Sequence, residues 1–340
     1  MQMLIARTNG KSVFAADAKH GEHYWCPGCE TEVILKKGNF KISHFAHKKG
    51  MCQIFSEGET PEHLLGKNKI LAAFKNAGYA GVLEKHIQML NQRPDVLVQY
   101  KNKKSIALEF QCAPLSLKKL SERSEGYCSK ELKFCWILGQ RYKIKKTLTQ
   151  QISQFMQWSK KLGFYLLYFD TVRSRFELVY GIQQADFLPL RCYHFYTESV
   201  IALKKFMLQD HQIEYYQLTV EERFKQKRLF LKKMHYSAGM FRKLQEHAYQ
   251  ERISLQRLTP LILQKKYEVP LFYRKEFYWR TETLLQQRKI FGLKRDRVDA
   301  QSFELDNYLF QVPFINKSKF KKQIVLRFQE EVQLIDKAAD

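Results

Sequence analysis

No apolar run in this chain approaches the roughly 20 residues that a membrane-spanning helix needs. The longest candidate, Phe164 to Phe169, is only strand length. The N-terminus lacks a basic stretch followed by an apolar block and a small-residue cleavage site, so secretion is not expected. Seven cysteines in 340 residues, an odd number, do not make a disulfide framework and suit a reducing cytoplasm. No internal repeat, low-complexity block or Gly/Ser linker marks a domain boundary. Acid is also in short supply: Asp plus Glu number 34 against 58 Lys plus Arg, and the isoelectric point is near 9.6. That imbalance points to a polyanionic partner, nucleic acid before anything else, and with no spanning run a membrane partner is not expected.

What is present is enough to fold. Hydrophobic residues make up 45% and aromatics 14%, which excludes wholesale disorder, and the length calls for two or three units. Texture divides the chain into residues 1–55, rich in Cys, His and short strand-like runs; 56–150, alternating helical and strand patterns; and 151–340, basic and aromatic. The expected fold class is α/β and multidomain. A small N-terminal zinc-binding β-hairpin unit precedes a central α/β core, and a mainly helical basic region follows.

In the middle region Thr60-Pro61-Glu62-His63 reads as a helix start. Thr60 can cap, Pro61 suits the first position, and Glu62 favours the positive end of the helix dipole. Leu64, Lys67, Leu71 and Phe74 continue at helical spacing, and Gly78 can end the helix. A strand near Val82 to Ile87 comes next. Then Arg93-Pro94-Asp95-Val96-Leu97-Val98 and Ile106-Ala107-Leu108-Glu109-Phe110-Gln111 alternate at period two, as half-buried strands do. Leu115 to Lys130 reads as helix, and Phe134 to Leu138 as a buried strand. The order is helix, three strands, helix, strand.

If the two alternating strands form a hairpin, paired residues share a face. The loop then holds an odd number of residues or a bulge, and Asp95 sits across from Glu109 or Gln111. Two ionised carboxylates about 4 Å apart repel by roughly 4 kcal/mol at an effective dielectric near 20, so a compensating cation is expected. Mg²⁺ or Mn²⁺ is the economical one, with Asp95 and Glu109 as ligands and a carbonyl of Leu108 or Phe110 as a further oxygen. Gln111 would orient the attacking water. Glu62 and His63 could face the same pocket from the helix, and Glu57 or Glu59 compete with Glu62 for the helix-side acid. Such a constellation suits phosphodiester hydrolysis.

Nearer the N-terminus, Cys26-x₂-Cys29 followed by His44-x₂-His47 has the layout of a closed structural Zn²⁺ site, with Cys52 competing as fourth ligand. Glu32 to Lys36 and Phe40 to Ser43 flank Lys37-Gly38-Asn39 as a hairpin. In the C-terminal half, Arg223, Lys225, Lys227, Arg228, Lys232 and Lys233 interleave with Phe224, Phe230 and Leu231, a texture suited to single-stranded DNA.

Cys26-Pro27-Gly28-Cys29, His44-Phe45-Ala46-His47, Glu57 through Lys67, Arg93-Pro94-Asp95 and Glu109-Phe110-Gln111 together resemble the competence protein CoiA family, within the PD-(D/E)xK nuclease superfamily. The resemblance covers roughly residues 1–140. It implies a restriction-endonuclease-like core and a cytoplasmic protein acting on single-stranded or branched DNA during transformation, alongside a recombinase. One position departs from the superfamily pattern: Gln111 stands where many such enzymes carry Lys, and an amide cannot supply an ammonium's charge. Lys67 could supply it from the helix. The alternative is a non-catalytic recombination mediator that keeps the nuclease shape to grip DNA.

Overall fold

The computed structural model describes residues 2–26, 30–38, 41–47, 60–100, 104–235, 238–291 and 304–337. Two compact units emerge. One comprises residues 1–143, 166–179 and 194–209, the other 144–165, 180–193 and 210–340.

In the first unit, short strands β1 (Gln2–Met3), β2 (Ile5–Thr8), β3 (Lys11–Phe14), β4 (Tyr24–Trp25), β5 (Glu32–Gly38) and β6 (Lys41–His47) form one six-stranded sheet, ordered β1-β6-β5-β4-β2-β3. The expected hairpin is its β5–β6 pair, with a register shift between Lys36 and Gly38. The unit is therefore more than a hairpin. Met3, Ala6, Ala15, Ala18, Tyr24, Cys26, Val33 and Phe45 give it an apolar core of its own.

Helix α1 (Pro61–Asn76) begins as the sequence requires. Thr60 Oγ1 accepts the His63 N–H at 3.2 Å, Pro61 occupies the first turn, and Gly78 takes a positive φ of 81° just beyond the end. It buries Leu64, Gly66, Lys67, Ile70 and Leu71. β7 (Ala80–Leu83) then pairs with β8 (Val96–Tyr100), and β8 with β9 (Lys104–Gln111). The β8–β9 register pairs Tyr100 with Lys104, leaving the odd-numbered connection 101–103 that the parity argument demands. Helix α2 (Leu117–Ser129) carries the chain over to β10 (Lys133–Leu138), which runs parallel to β9.

The central strands differ from expectation in one respect: they are not half-buried. Val96, Leu97, Val98 and every residue from Ala107 to Gln111 are buried. The cause is that helices cover both faces. A Cβ built on Gly66 of α1 would strike the Phe110 ring, while Ser124 of α2 accepts a hydrogen bond from the Trp136 indole on the opposite side.

The sheet also continues past β10. β12 (Gly163–Asp170) pairs parallel to β10, and β13 (Arg175–Gln183) and β14 (Arg191–Thr197) extend it, giving the order β14-β13-β12-β10-β9-β8-β7. The region after 150 is thus helical only outside these strands. α3 (Gln150–Ser153) and β11 (Gln157–Ser159) precede them, and α4 (Val200–Leu208), α5 (Val220–His235), α6 (Met240–Gln250), α7 (Thr259–Ile262), α8 (Glu276–Phe291) and α9 (Lys317–Lys337) follow. Phe230, Phe241, Leu244, Ile262, Phe277 and Leu285 belong to the core of the second unit. Among the described residues no helix is long and apolar enough to cross a membrane.

Candidate active site

Asp95 immediately precedes β8, and extending the ladder one step sets it opposite Glu109. Its Oδ2 accepts the Phe110 N–H at 2.8 Å and lies 3.0 Å from His63 Nε2. Burial opposes ionisation of this carboxyl. The positive charges of His63, Lys67 and Arg123 outweigh burial and hold it well below the usual range. His63 reaches Asp95 because the Thr60 cap fixes the first turn of α1, and its ring stacks on Phe110 with centroids 6.1 Å apart.

Glu109 lies in the opposite situation. It is fully buried, its Oε2 accepts a hydrogen bond from Arg123 Nη2 at 2.5 Å, and its Oε1 accepts one from the Tyr127 hydroxyl. Burial pushes its carboxyl up to about 7, with the Asp95 charge adding to the effect and Arg123 opposing it. The two acids therefore share one neighbourhood at different protonation levels, the pattern that assigns separate acid and base roles.

The other sequence-predicted residues have definite places. Glu62 Oε1 accepts the Gln140 N–H at 2.8 Å beside Cys112, whose thiol is pushed up by burial and by the charges of Glu62 and Asp95. Gly139 leaves room there: a Cβ at that position would lie 2.7 Å from Cys112 Sγ and 2.9 Å from Glu62 Oε1. Gln111 is buried and donates its amide N–H to the Ala113 carbonyl at 2.7 Å. Lys67, fully buried, donates to Glu84 Oε1 at 2.5 Å, and Arg93 Nη1 approaches Glu84 Oε2 at 3.4 Å. Burial alone would raise Glu84; Lys67 and Arg93 hold it low. Lys67 thus neutralises a second buried acid while also acting on Asp95.

Sequence reasoning missed Arg123, Tyr127, Glu84 and Cys112. The one usable signal was spacing. Leu120, Ser124 and Tyr127 form the buried stripe of α2, and Arg123 stands one turn before Tyr127 on the same side.

The model for the family described as competence protein CoiA, nuclease-like domain, matches residues 59–227, and that for the competence protein CoiA N-terminal domain matches residues 9–55. The chain belongs to the competence protein CoiA family. The competence protein CoiA of Bacillus subtilis (strain 168) is 35% identical over 135 residues, 39% of this chain and 36% of that protein. The alignment thus spans little more than a third of the relative. No solved structure matches the chain. The nuclease-like match runs through β12, β13 and β14, so the extended sheet is part of the matched region.

The donor set can be tested against the metals that this resemblance implies. Asp95 fits an oxygen-seeking cation: its carboxyl is held well below the usual range, and its Oδ1 accepts no hydrogen bond from a described residue. Glu109 fits only when Arg123 and Tyr127 release it, since both its oxygens accept protein donors. Among the described residues no group of three or more His, Cys, Asp or Glu side chains is placed to hold a metal ion. Arg123 and His63 stand beside these acids, Arg123 Nη2 at 2.5 Å from Glu109 Oε2 and His63 Nε2 at 3.0 Å from Asp95 Oδ2.

Of the candidate zinc ligands, Cys26 lies in the N-terminal core and His44 and His47 lie on β6. Alternation along β6 puts His47 on the Phe45 side, with Cys26 in that core, and His44 on the other. Cys29 and Cys52 lie outside the described residues, as do Glu57 and Glu59.

Proposed function

We propose that this protein processes DNA during natural transformation, acting in the cytoplasm on internalised single-stranded or branched DNA alongside a recombinase, and that its nuclease-like unit hydrolyses phosphodiesters at the Asp95–Glu109 site. One observation carries the reading. An ionised Asp95 and a Glu109 whose carboxyl burial pushes up to about 7 face each other across one ladder, beside the capped start of α1 with Glu62 and His63. Mg²⁺ or Mn²⁺, when held by Asp95, would polarise a water and offset charge on the phosphate. His63 Nε2 donates its proton to the hydrogen bond with ionised Asp95 and so orients that carboxylate. A formal charge of +24 supplies the general attraction for the DNA backbone.

A second reading has its own support. Arg123 and Tyr127 occupy both oxygens of Glu109, and the Gln111 amide is turned to Ala113, as in a nuclease shape kept for binding alone. Incubation with single-stranded and branched DNA in Mg²⁺ or Mn²⁺ separates the two. Cleavage abolished by Asp95→Ala and by Glu109→Ala supports the hydrolase. Salt-sensitive binding without cutting in either metal supports the binding module and refutes the hydrolase.

A further inference from the structure

The central sheet has two chemically different faces. Phe110, Phe169 and Phe176 lie on the α1 face, where Phe110 meets Phe169 at 6.1 Å and Phe176 meets Phe74 of α1 at 6.4 Å. The opposite face mixes buried polar and apolar residues and can be followed strand by strand. Gln111 pairs with Leu138, Leu138 with Tyr168, and Tyr168 with Glu177, so these four residues form one row. Three strand spacings of about 4.8 Å put Glu177 about 14 Å from Gln111 along that row.

The far end of the row carries a side-chain cluster that the hydrolytic site does not use. Buried Glu177 accepts hydrogen bonds from Lys143 and from the Tyr196 hydroxyl (3.2 Å), and its Oε1 lies 2.8 Å from His194 Nδ1. These contacts hold the His194 and Tyr196 rings nearly parallel, 14° apart with centroids separated by 6.0 Å, as side-by-side residues on strand β14. Both are open to solvent: Tyr196 is 45% exposed and the His194 side chain 42%. Arg175 lies over the Tyr196 ring at 4.5 Å and makes no ion pair or hydrogen bond with a described residue. Exposed Arg173, at the β12–β13 turn, is paired with Asp170, and exposed Arg141 lies two residues before Lys143.

A flat pair of exposed rings with an unneutralised guanidinium is a poor surface for a folded acidic protein. It suits unstacked bases on a charged backbone. Rings and guanidinium planes accept any base face, and the arginines meet phosphates. We infer that the β13–β14 end of the sheet is a docking platform for single-stranded DNA, with Tyr196, His194 and Arg175 receiving bases and phosphate. This inference rests on the reading of the protein as a DNA-processing factor and adds where and in what form the strand is held.

The test is fluorescence anisotropy of a labelled oligodeoxythymidylate at fixed salt, with the full-length protein. Tyr196→Ala and Arg175→Ala are expected to weaken binding about tenfold or more each, the order of a lost base stack. Tyr196→Phe, which gives up the hydroxyl bond to Glu177 but keeps the ring, is expected to stay within about twofold of wild type. Wild-type affinity in Tyr196→Ala and Arg175→Ala overturns the platform, whatever the cleavage assay shows. An equal loss in Tyr196→Phe also overturns it, because only the Glu177 network would then matter. If Tyr196→Ala loses binding while no metal elicits cutting, the platform stands and the hydrolytic reading falls.

Discussion

Gly66 is the point at which helix α1 and the candidate site are most tightly coupled. In an exposed helix interior, replacing Gly by Ala gains about 1 kcal/mol. Here the new Cβ would sit 2.0 Å from Phe110 Cε1 and 2.5 Å from Cδ1. Phe110 has nowhere to go: it is 1% exposed, stacked on His63 and edge-on to Phe169. Overpacking of a filled core costs about 1–3 kcal/mol, and a clash this close belongs at the upper end. Gly66→Ala is therefore expected to destabilise the α1–β9 region by about 2 kcal/mol after the propensity gain is subtracted. Native-state hydrogen exchange of α1 and β9 amides reads that region separately from the second unit. Replacing the ring as well, in Gly66→Ala/Phe110→Leu, should show favourable coupling in a double-mutant cycle. A Gly66→Ala protein as protected as wild type, or strictly additive with Phe110→Leu, would refute the packing argument.

Other changes should behave differently. At Gly126 in α2 an added Cβ meets only the end of the Gln92 side chain, so Gly126→Ala should be neutral or stabilising by up to about 1 kcal/mol in thermal unfolding. Glu84→Gln strands Lys67 and Arg93 as buried cations and is expected to cost about 3–5 kcal/mol, seen as lost amide protection in α1. Glu109 titrates near 7 in the fold against an ordinary value of 4.5, so the folded state holds its proton more tightly. That contribution to stability is present at low pH and lost as pH rises from about 4.5 through 7. Relative to Glu109→Gln, the wild type should lose up to about 3 kcal/mol across that window in urea titrations at stepped pH. A pH-independent difference between the two proteins would rule out the raised carboxyl.

Much of the central core was legible because its signals are local. The Thr60 cap and the period-two strands each follow from a few neighbouring residues, and both appear in the fold. The two-sided burial of β8 and β9 was not legible, since alternation reports one face and cannot tell that a helix covers the polar one. Arg123 was hidden for a related reason: a charged residue on a helix reads as solvated until its partner, Glu109, is known to lie beneath it. Strands β12 and β13 were visible as the runs Phe164 to Asp170 and Phe176 to Tyr180, β14 was not, and their joining to β10 is a long-range pairing with no local trace. At the N-terminus β1 to β4 are two to four residues long, too short for any periodicity to register.

The way the backbone alternates between the two units has a practical consequence for anyone dissecting the protein. Residues 166–179 and 194–209 return to the first unit after the chain has already entered the second. A fragment cut near residue 150 would therefore shed β12 to β14 and leave β10, with Phe134, Trp136, Ile137 and Leu138, as a bare margin of the sheet. Bare apolar margins recruit copies of themselves. Such a fragment should precipitate or self-associate, and its inactivity would say nothing about the chemistry of the intact chain.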